Sequence, residues 1–309
     1  MSTAVKVKAA SRSRVRVEAP TVALAVTIYG GWIAVTLAWR FIPWPLLVLV
    51  GGWLTAWQSS LQHETIHGHP TRSRAINDAV GWPPLSLWLP YQVYRASHLR
   101  HHHDERLTDP IEDPESAYVT SSVWNRIGPV GRFVLKLNTT LVGRLLIGPA
   151  IMIFGFLGSE LRAVVGGDRR HLGIWARHAV GIAAILIWLV AVCGMPVWLY
   201  LVAFVYPGAA LMRLRSFAEH RWAAQVSHRT AVVEASWPFG LLFLNNNLHA
   251  LHHARPTVPW YDLPDVYARE QSEITARNGG LVYKGYSDVA RNFLLRSHDD
   301  PVHPDRKQW

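Results

Sequence analysis

The chain has 309 residues, of which 50% are hydrophobic and 17% charged, and it carries 15 Trp. Indole rings collect at bilayer interfaces, so this composition favours a membrane protein over a soluble one. The net charge of +10 is interrupted by long apolar runs, which argues against a basic nucleic-acid module, and the single Cys193 excludes an intramolecular disulfide, a cysteine-held iron–sulfur cluster and a Cys-rich zinc site.

The first twenty residues carry Lys6, Lys8, Arg12, Arg14 and Arg16 and read as a basic disordered tail. The apolar run over 21–42 is too long for a signal-peptide core and long enough to cross a bilayer. Pro43-Trp44-Pro45 breaks it, and a second apolar run, 46–62, ends directly at His63. The pair reads as a helical hairpin, with Gly30-Gly31 and Gly51-Gly52 available for close packing. Residues 81–94 are apolar but hold Pro83, Pro84 and Pro90, which suits an interfacial segment rather than a span. The polar stretch from Asp104 to Glu115 reads as a loop. Residues 174–194 and 196–212 form a second hairpin, and 236–244 a short interfacial piece.

The run over 141–158 has nearly spanning length but contains Arg144. Parity decides how it is read. With four spans, at 21–42, 46–62, 174–194 and 196–212, every histidine-rich stretch falls on one side, together with both termini. Five Lys and Arg lie in the N-terminal tail, twelve over 63–173 and twelve from 213 onward, while the short turns on the other side carry none. That asymmetry is the positive-inside pattern and places this side in the cytoplasm. Residues 141–158 are therefore expected to lie in the interface or against the bundle. The fold expected is an all-α integral membrane protein, with about four transmembrane helices in two hairpins, interfacial helices and a cytoplasmic histidine-rich cap. Residues 21–265 form its membrane domain and 266–309 a cytoplasmic C-terminal tail.

Three histidine groups stand out. His63 and His67 are one helical turn apart. His98, His101 and His102 stand at i, i+3 and i+4, as do His249, His252 and His253, so each trio shares a helix face. Neutral imidazole binds iron, zinc, copper and nickel. Eight such donors exceed the needs of one tetrahedral or octahedral ion, and two ions fit the count better. His220, just after the last span, is a possible ninth. His103 points about 140° away from His98, and His69 about 160° away from His67, so neither shares a ligand face. His171, His178, His228, His298 and His303 are isolated and read as background.

The set His63-Glu64-Thr65-Ile66-His67, His98-Leu99-Arg100-His101-His102 and His249-Ala250-Leu251-His252-His253 resembles the membrane-bound fatty acid desaturase superfamily, which also holds lipid hydroxylases and carotenoid ketolases. The resemblance covers about residues 20 to 265, in boxes, spacing and hairpin order, and extends to Arg255-Pro256-Thr257-Val258-Pro259-Trp260-Tyr261-Asp262-Leu263-Pro264. It implies two iron ions at the cytoplasmic membrane face, O₂ as co-substrate and His220 as a further ligand. It also implies oxidation of an unactivated C–H bond of a lipid, with electrons from an external ferredoxin or cytochrome. Fatty-acyl desaturation is the first expectation; hydroxylation or carotenoid ketolation is the alternative. Some members carry an Asn one turn before the extra histidine; here that position is Ser216, with Asn245 and Asn247 as possible substitutes. Asp104, Asp109 and Asp113 are candidates to orient imidazoles, and Trp53, Trp57 and Phe217 to line a lipid channel.

A distant rival is a membrane zinc protease, because His63-Glu64-Thr65-Ile66-His67 also fits H-E-x-x-H. That reading leaves two complete H-x-x-H-H boxes unused. A metal transporter would carry its ligands inside the spans, where this chain has almost none.

Overall fold

The structure is a computed structural model that describes residues 17–102, 104–235 and 237–306. The basic segment Met1–Arg16 and His103 lie outside the described residues.

The fold is mostly helical. α1 (Ala19–Ala38) and α2 (Trp44–Ile66) flank the expected Pro-Trp-Pro break, each with proline in its first turn, where the missing N–H costs no hydrogen bond. α3 (Arg74–Gly81) and α4 (Tyr91–His101) follow, then α5 (Ser121–Arg126), α6 (Pro129–Asn138), α7 (Leu141–Leu146) and α8 (Gly148–Val165). α9 (Arg169–Ile187) continues through a wide turn to Val192. α10 (Val197–Tyr200), a second wide turn and α11 (Tyr206–Glu219) run on as one rod. α12 (Phe239–Leu242), α13 (His249–Ala254), α14 (Leu263–Arg277) and α15 (Tyr286–Phe293) complete the helices. Two short strands, β1 (Val232–Val233) and β2 (Val282–Tyr283), pair in parallel, Val232 opposite Val282.

Four helical stretches are long and apolar enough to cross a membrane: Ala19–Phe41, Gly148–Val165, Arg169–Val192 and Val197–Glu219. Val26, Phe41, Phe154, Val180, Ile187 and Trp198 are exposed on them, an arrangement stable in lipid and not in water. This set differs from the expected one. The expected span 46–62 lies within α2, which has the length but not the apolarity. Gln58, Ser60 and Gln62 in its second half are buried. Their side chains donate to the carbonyls of Pro83, Leu242 and Gly81 at 2.9, 2.8 and 2.8 Å. α2 is thus the central helix, turned into protein on most sides. Its near-surface half packs against α11 through glycine: a Cβ on Gly51 would stand 2.6 Å from the Ala203 carbonyl oxygen, and one on Gly52 2.8 Å from Pro207 Cβ. Gly30, by contrast, meets nothing within 4 Å.

The second difference concerns 141–158. The chain bends at Ile147–Pro149, and beyond it α8 has spanning length by composition. Its ends are nevertheless on the histidine side of the bundle. Glu18 at the start of α1 donates its N–H to the Pro70 carbonyl, 3.0 Å, three residues past His67. The far end of α1 meets the far end of the α9 rod, where the Trp39 indole donates to the Cys193 carbonyl, 3.1 Å. α9 therefore starts near the histidines, and α8 leads directly into it. The other end of α8 abuts Arg213, two turns before His220.

The proline-rich segment 81–94 packs against α9 and α10: Tyr200 donates to the Leu85 carbonyl at 2.7 Å, and His178 Nε2 lies 2.8 Å from the Leu87 oxygen. The C-terminal segment, expected as a tail, folds back onto the body. Val119 donates to the Pro301 carbonyl and His298 to that of Thr139.

Candidate metal centre

The three boxes sit on three helix ends that the fold brings together: the last turn of α2, the last turn of α4, and α13. His220 follows the last residue of α11, in extended conformation. All nine histidines singled out from the sequence converge, in two groups. His63, His67, His98, His102 and His252 form one; His101, His220, His249 and His253 form the other. Within each group the donor nitrogens lie within 4.8 Å of one another. The division follows from helix geometry. His98 and His102 stand at i and i+4 and join one group, while His101, rotated about 60° from His98 and about 100° from His102, joins the other. In α13 the same offset works in reverse: His249 and His253 enter the second group and His252 the first.

The nitrogens crowd on their Nε2 side. His67 and His98 approach to 2.9 Å, His102 and His98 to 3.1 Å, His102 and His252 to 3.1 Å. In the second group, His220 Nε2 is 3.0 Å from those of His101 and of His249. Burial, then the neighbouring imidazoles, hold His67, His102, His249 and His252 below their ordinary value. His220 is lowered in the same way. These are neutral lone-pair donors, the form that binds metal. Five imidazoles exceed the four positions of a tetrahedral zinc site and suit an ion of higher coordination such as iron. The donor set fits two ions.

A family model described as fatty acid desaturase matches residues 38–285. The chain belongs to the fatty acid desaturase family. No curated protein matches it significantly. Membership makes it a membrane oxidoreductase, and the match spans all three boxes and His220.

Around four of the desaturase histidines, His98, His101, His220 and His249, stand acceptors on the Nδ1 side, which hold those rings with Nε2 inward. Glu115 Oε1 is 2.9 Å from His98 Nδ1, and Asp113 Oδ1 is 2.8 Å from His101 Nδ1. Burial alone would lower His101, but the Glu115 and Asp113 carboxylates outweigh it and hold the imidazole up at about 9. Burial would raise Glu115, yet His101 and His98 pull it well below the carboxylate range. His220 Nδ1 faces the Arg229 carbonyl at 3.3 Å. His249 Nδ1 faces Asn246 Oδ1 at 3.2 Å and Glu219 Oε1 at 3.4 Å.

Of the three carboxylates considered from the sequence, Asp113 meets an imidazole. Asp109 instead accepts from the N–H groups of Ile111 and Glu112 and shapes the loop. Glu115 and Glu219 were not singled out; the only sequence signal is that acidic residues lie within one loop of a box. Among Asn245, Asn246 and Asn247, the middle one reaches the centre. Asn246 Nδ2 is 3.4 Å from His63 Nε2 while its oxygen faces His249, so it touches both groups. Asn245 and Asn247 instead donate to the carbonyls of Trp260 and of Val233. Ser216 turns back to the Arg213 carbonyl of its own helix at 3.4 Å.

His69 is 2.7 Å from Glu18 and belongs to neither group; the five isolated histidines also stand apart. Glu64 accepts the Trp260 N–H at 3.1 Å and lies 3.9 Å from His63 Nδ1. Phe217 is buried among Phe293, His298 and Arg144, and Trp53 and Trp57 stack edge to face. They pack the interior. A recess of about 210 Å³ lined by Leu107, Ala250, His253, Ala254, Ile274 and Arg277 reaches the edge of the second group.

Proposed function

We propose that the protein is an O₂-dependent di-iron oxidoreductase that attacks an unactivated C–H bond of a lipid, and that its reaction is fatty-acyl desaturation. The observation that carries this reading is the division of nine imidazoles from four separate helix ends into groups of five and four. Iron held there would activate O₂ for C–H cleavage, chemistry that side chains lack. His63, His67, His98, His102 and His252 would hold one ion; His101, His220, His249 and His253 the other.

The chain's own part is to hold these donors and exclude water. Asp113, Glu115 and Glu219 fix ring orientation, and Asn246 links the two groups. A site assembled beforehand avoids reorganisation during the reaction. The apolar faces of α1, α8, α9 and α10 suit a substrate that arrives through the bilayer. Electrons come from an external ferredoxin- or cytochrome-type donor, and the recess beside His253 and Arg277 is a place for an acidic donor to approach. We place the centre and both termini in the cytoplasm on the Lys and Arg asymmetry, with α8 lying along the membrane face.

The protease reading uses His63 and His67 alone and leaves seven converging imidazoles without a role. Lipid mass spectrometry of cells with and without expression tests the reaction. Loss of two hydrogens from a lipid supports desaturation. Gain of one oxygen would make the protein a hydroxylase, and gain of an oxygen with loss of two hydrogens a ketolase.

A further inference from the structure

Two arginines, Arg144 buried and Arg213 half-buried, lie near the centre without an ion-pair partner among the described residues. Arg144 of α7 is 5% exposed. Its Nε donates to the Asn138 carbonyl at 2.9 Å, and its guanidinium carbon lies 5.6 Å from the Phe217 ring centroid. These contacts hold the side chain, yet its buried Nη1 has no hydrogen-bond partner. Arg213 of α11 has a buried Nε that also lacks one, as does the buried oxygen of Asn138. The three converge on one point. A methyl placed on Gly148 would stand 3.1 Å from Asn138 Oδ1, 3.3 Å from Arg144 Cδ and 3.6 Å from Arg213 Nε.

A guanidinium stays charged in a protein, so two adjacent ones need an anion or water. The nearby carboxylates are committed elsewhere. Asp299 is 3.2 Å from Arg221 Nε and 2.6 Å from His298 Nδ1. Glu219 is 2.8 Å from Arg215 Nε, and Glu115 is bound to His98. The helices that carry Asn138, Arg144 and Gly148 also expose apolar side chains: Val130 and Phe133 of α6, Leu146 of α7 and Phe154 of α8. Arg213 is partly exposed, which gives the cluster an open edge on α11. Seven residues separate Arg213 from His220, a rise of about 10 Å.

We propose that Arg144 and Arg213, which approach each other beside Gly148, bind one anionic oxygen group, carboxylate or phosphate, at the head of a lipid substrate. The proposal rests on the lipid-oxidising reading of the histidine centre. Arginine presents paired donors that match either group. A half-turn of the Asn138 amide adds its N–H donors to the same point.

The test is thermal unfolding of the full-length, iron-loaded protein in neutral detergent, with hexadecanoate, hexadecyl phosphate, hexadecanol or inorganic phosphate added. Hexadecanoate or hexadecyl phosphate should raise the midpoint, and the larger shift identifies the head group; hexadecanol should not. Arg213→Gln and Arg144→Gln should each weaken the effective ligand about tenfold or more, with two irons per chain retained. If Arg144→Gln does not fold, Arg213→Gln and the comparison of acid with alcohol on the unaltered protein still decide. Equal shifts for acid and alcohol, or shifts unchanged in Arg213→Gln, would overturn the proposal. A shift with inorganic phosphate alone, undiminished by replacing the acid with the alcohol, would make the site one for a free anion and overturn the lipid assignment. Failure of these arms with two irons present leaves the lipid-oxidising reading standing; absence of iron would instead remove that reading.

Discussion

Asp113 is the residue whose loss should separate the two halves of the centre. Its side chain is buried at 5% exposure and makes three polar contacts. Oδ1 is 2.8 Å from His101 Nδ1 and accepts the Glu115 N–H at 2.9 Å, and Oδ2 accepts the Thr108 N–H at 2.9 Å. One carboxylate thus orients a ligand of the second group and shapes the loop that carries Glu115 to His98. Removing such an outer partner costs about 10–100-fold in metal affinity, or about 1.4–2.8 kcal/mol. In Asp113→Ala that loss should fall on the ion held by His101, His220, His249 and His253. Purified protein dialysed against a weak chelator should retain close to one iron per chain, with the five-histidine group filled. Asp113→Asn keeps the shape and an acceptor oxygen and should lose less. Iron analysis with Mössbauer spectra of the dialysed samples gives the readout. Two irons retained in Asp113→Ala, with affinity unchanged, would refute the role assigned to Asp113.

Asn246→Leu should lower iron content or alter the spectrum of both sites, because its amide touches both groups; a variant that binds and oxidises like the parent would remove Asn246 from the centre. His102→Ala should lose iron and activity, because His102 lies among the other ligands, while His103→Ala should keep most of both, because helical periodicity expects residue 103 off the ligand face; equal losses would contradict the helix-face argument. Gly52→Val should destabilise by about 1–3 kcal/mol through overpacking against Pro207, read as a lower unfolding midpoint, whereas Gly30→Ala should leave it unchanged. Identical midpoints for the two would show that α2 and α11 are not closely packed there.

The metal centre was more legible than the membrane topology, for a physical reason. Histidine spacing on a helix fixes which rings share a face, so eight of the nine candidates could be named from i, i+3 and i+4 relations; His220, a lone histidine, needed the family resemblance. The same relations leave open which ring joins which group, because that depends on how α4 and α13 face each other. Asn246 was missed because three adjacent Asn look alike in sequence, and only the fold decides which one turns inward. Asp113 was considered, but Glu115 and Glu219 were not, since a loop carboxylate and a helix-end carboxylate have no periodicity to betray their direction. For the helices, hydropathy identified the outer ones but did not show that the central one is lined by protein. α2 has spanning length, yet Gln58, Ser60 and Gln62 face protein carbonyls rather than lipid. α8 has spanning composition, while its two ends meet elements near the histidines. A run of apolar residues reports compatibility with lipid; it does not report whether the run crosses.

The central claim is that two irons occupy the histidine groups. Metal analysis of the protein purified from cells grown with both iron and zinc tests it directly. The account predicts two irons per chain, falling in His101→Ala as well as in His63→Ala. One zinc per chain, with activity abolished in Glu64→Gln and retained in His101→Ala, would contradict it.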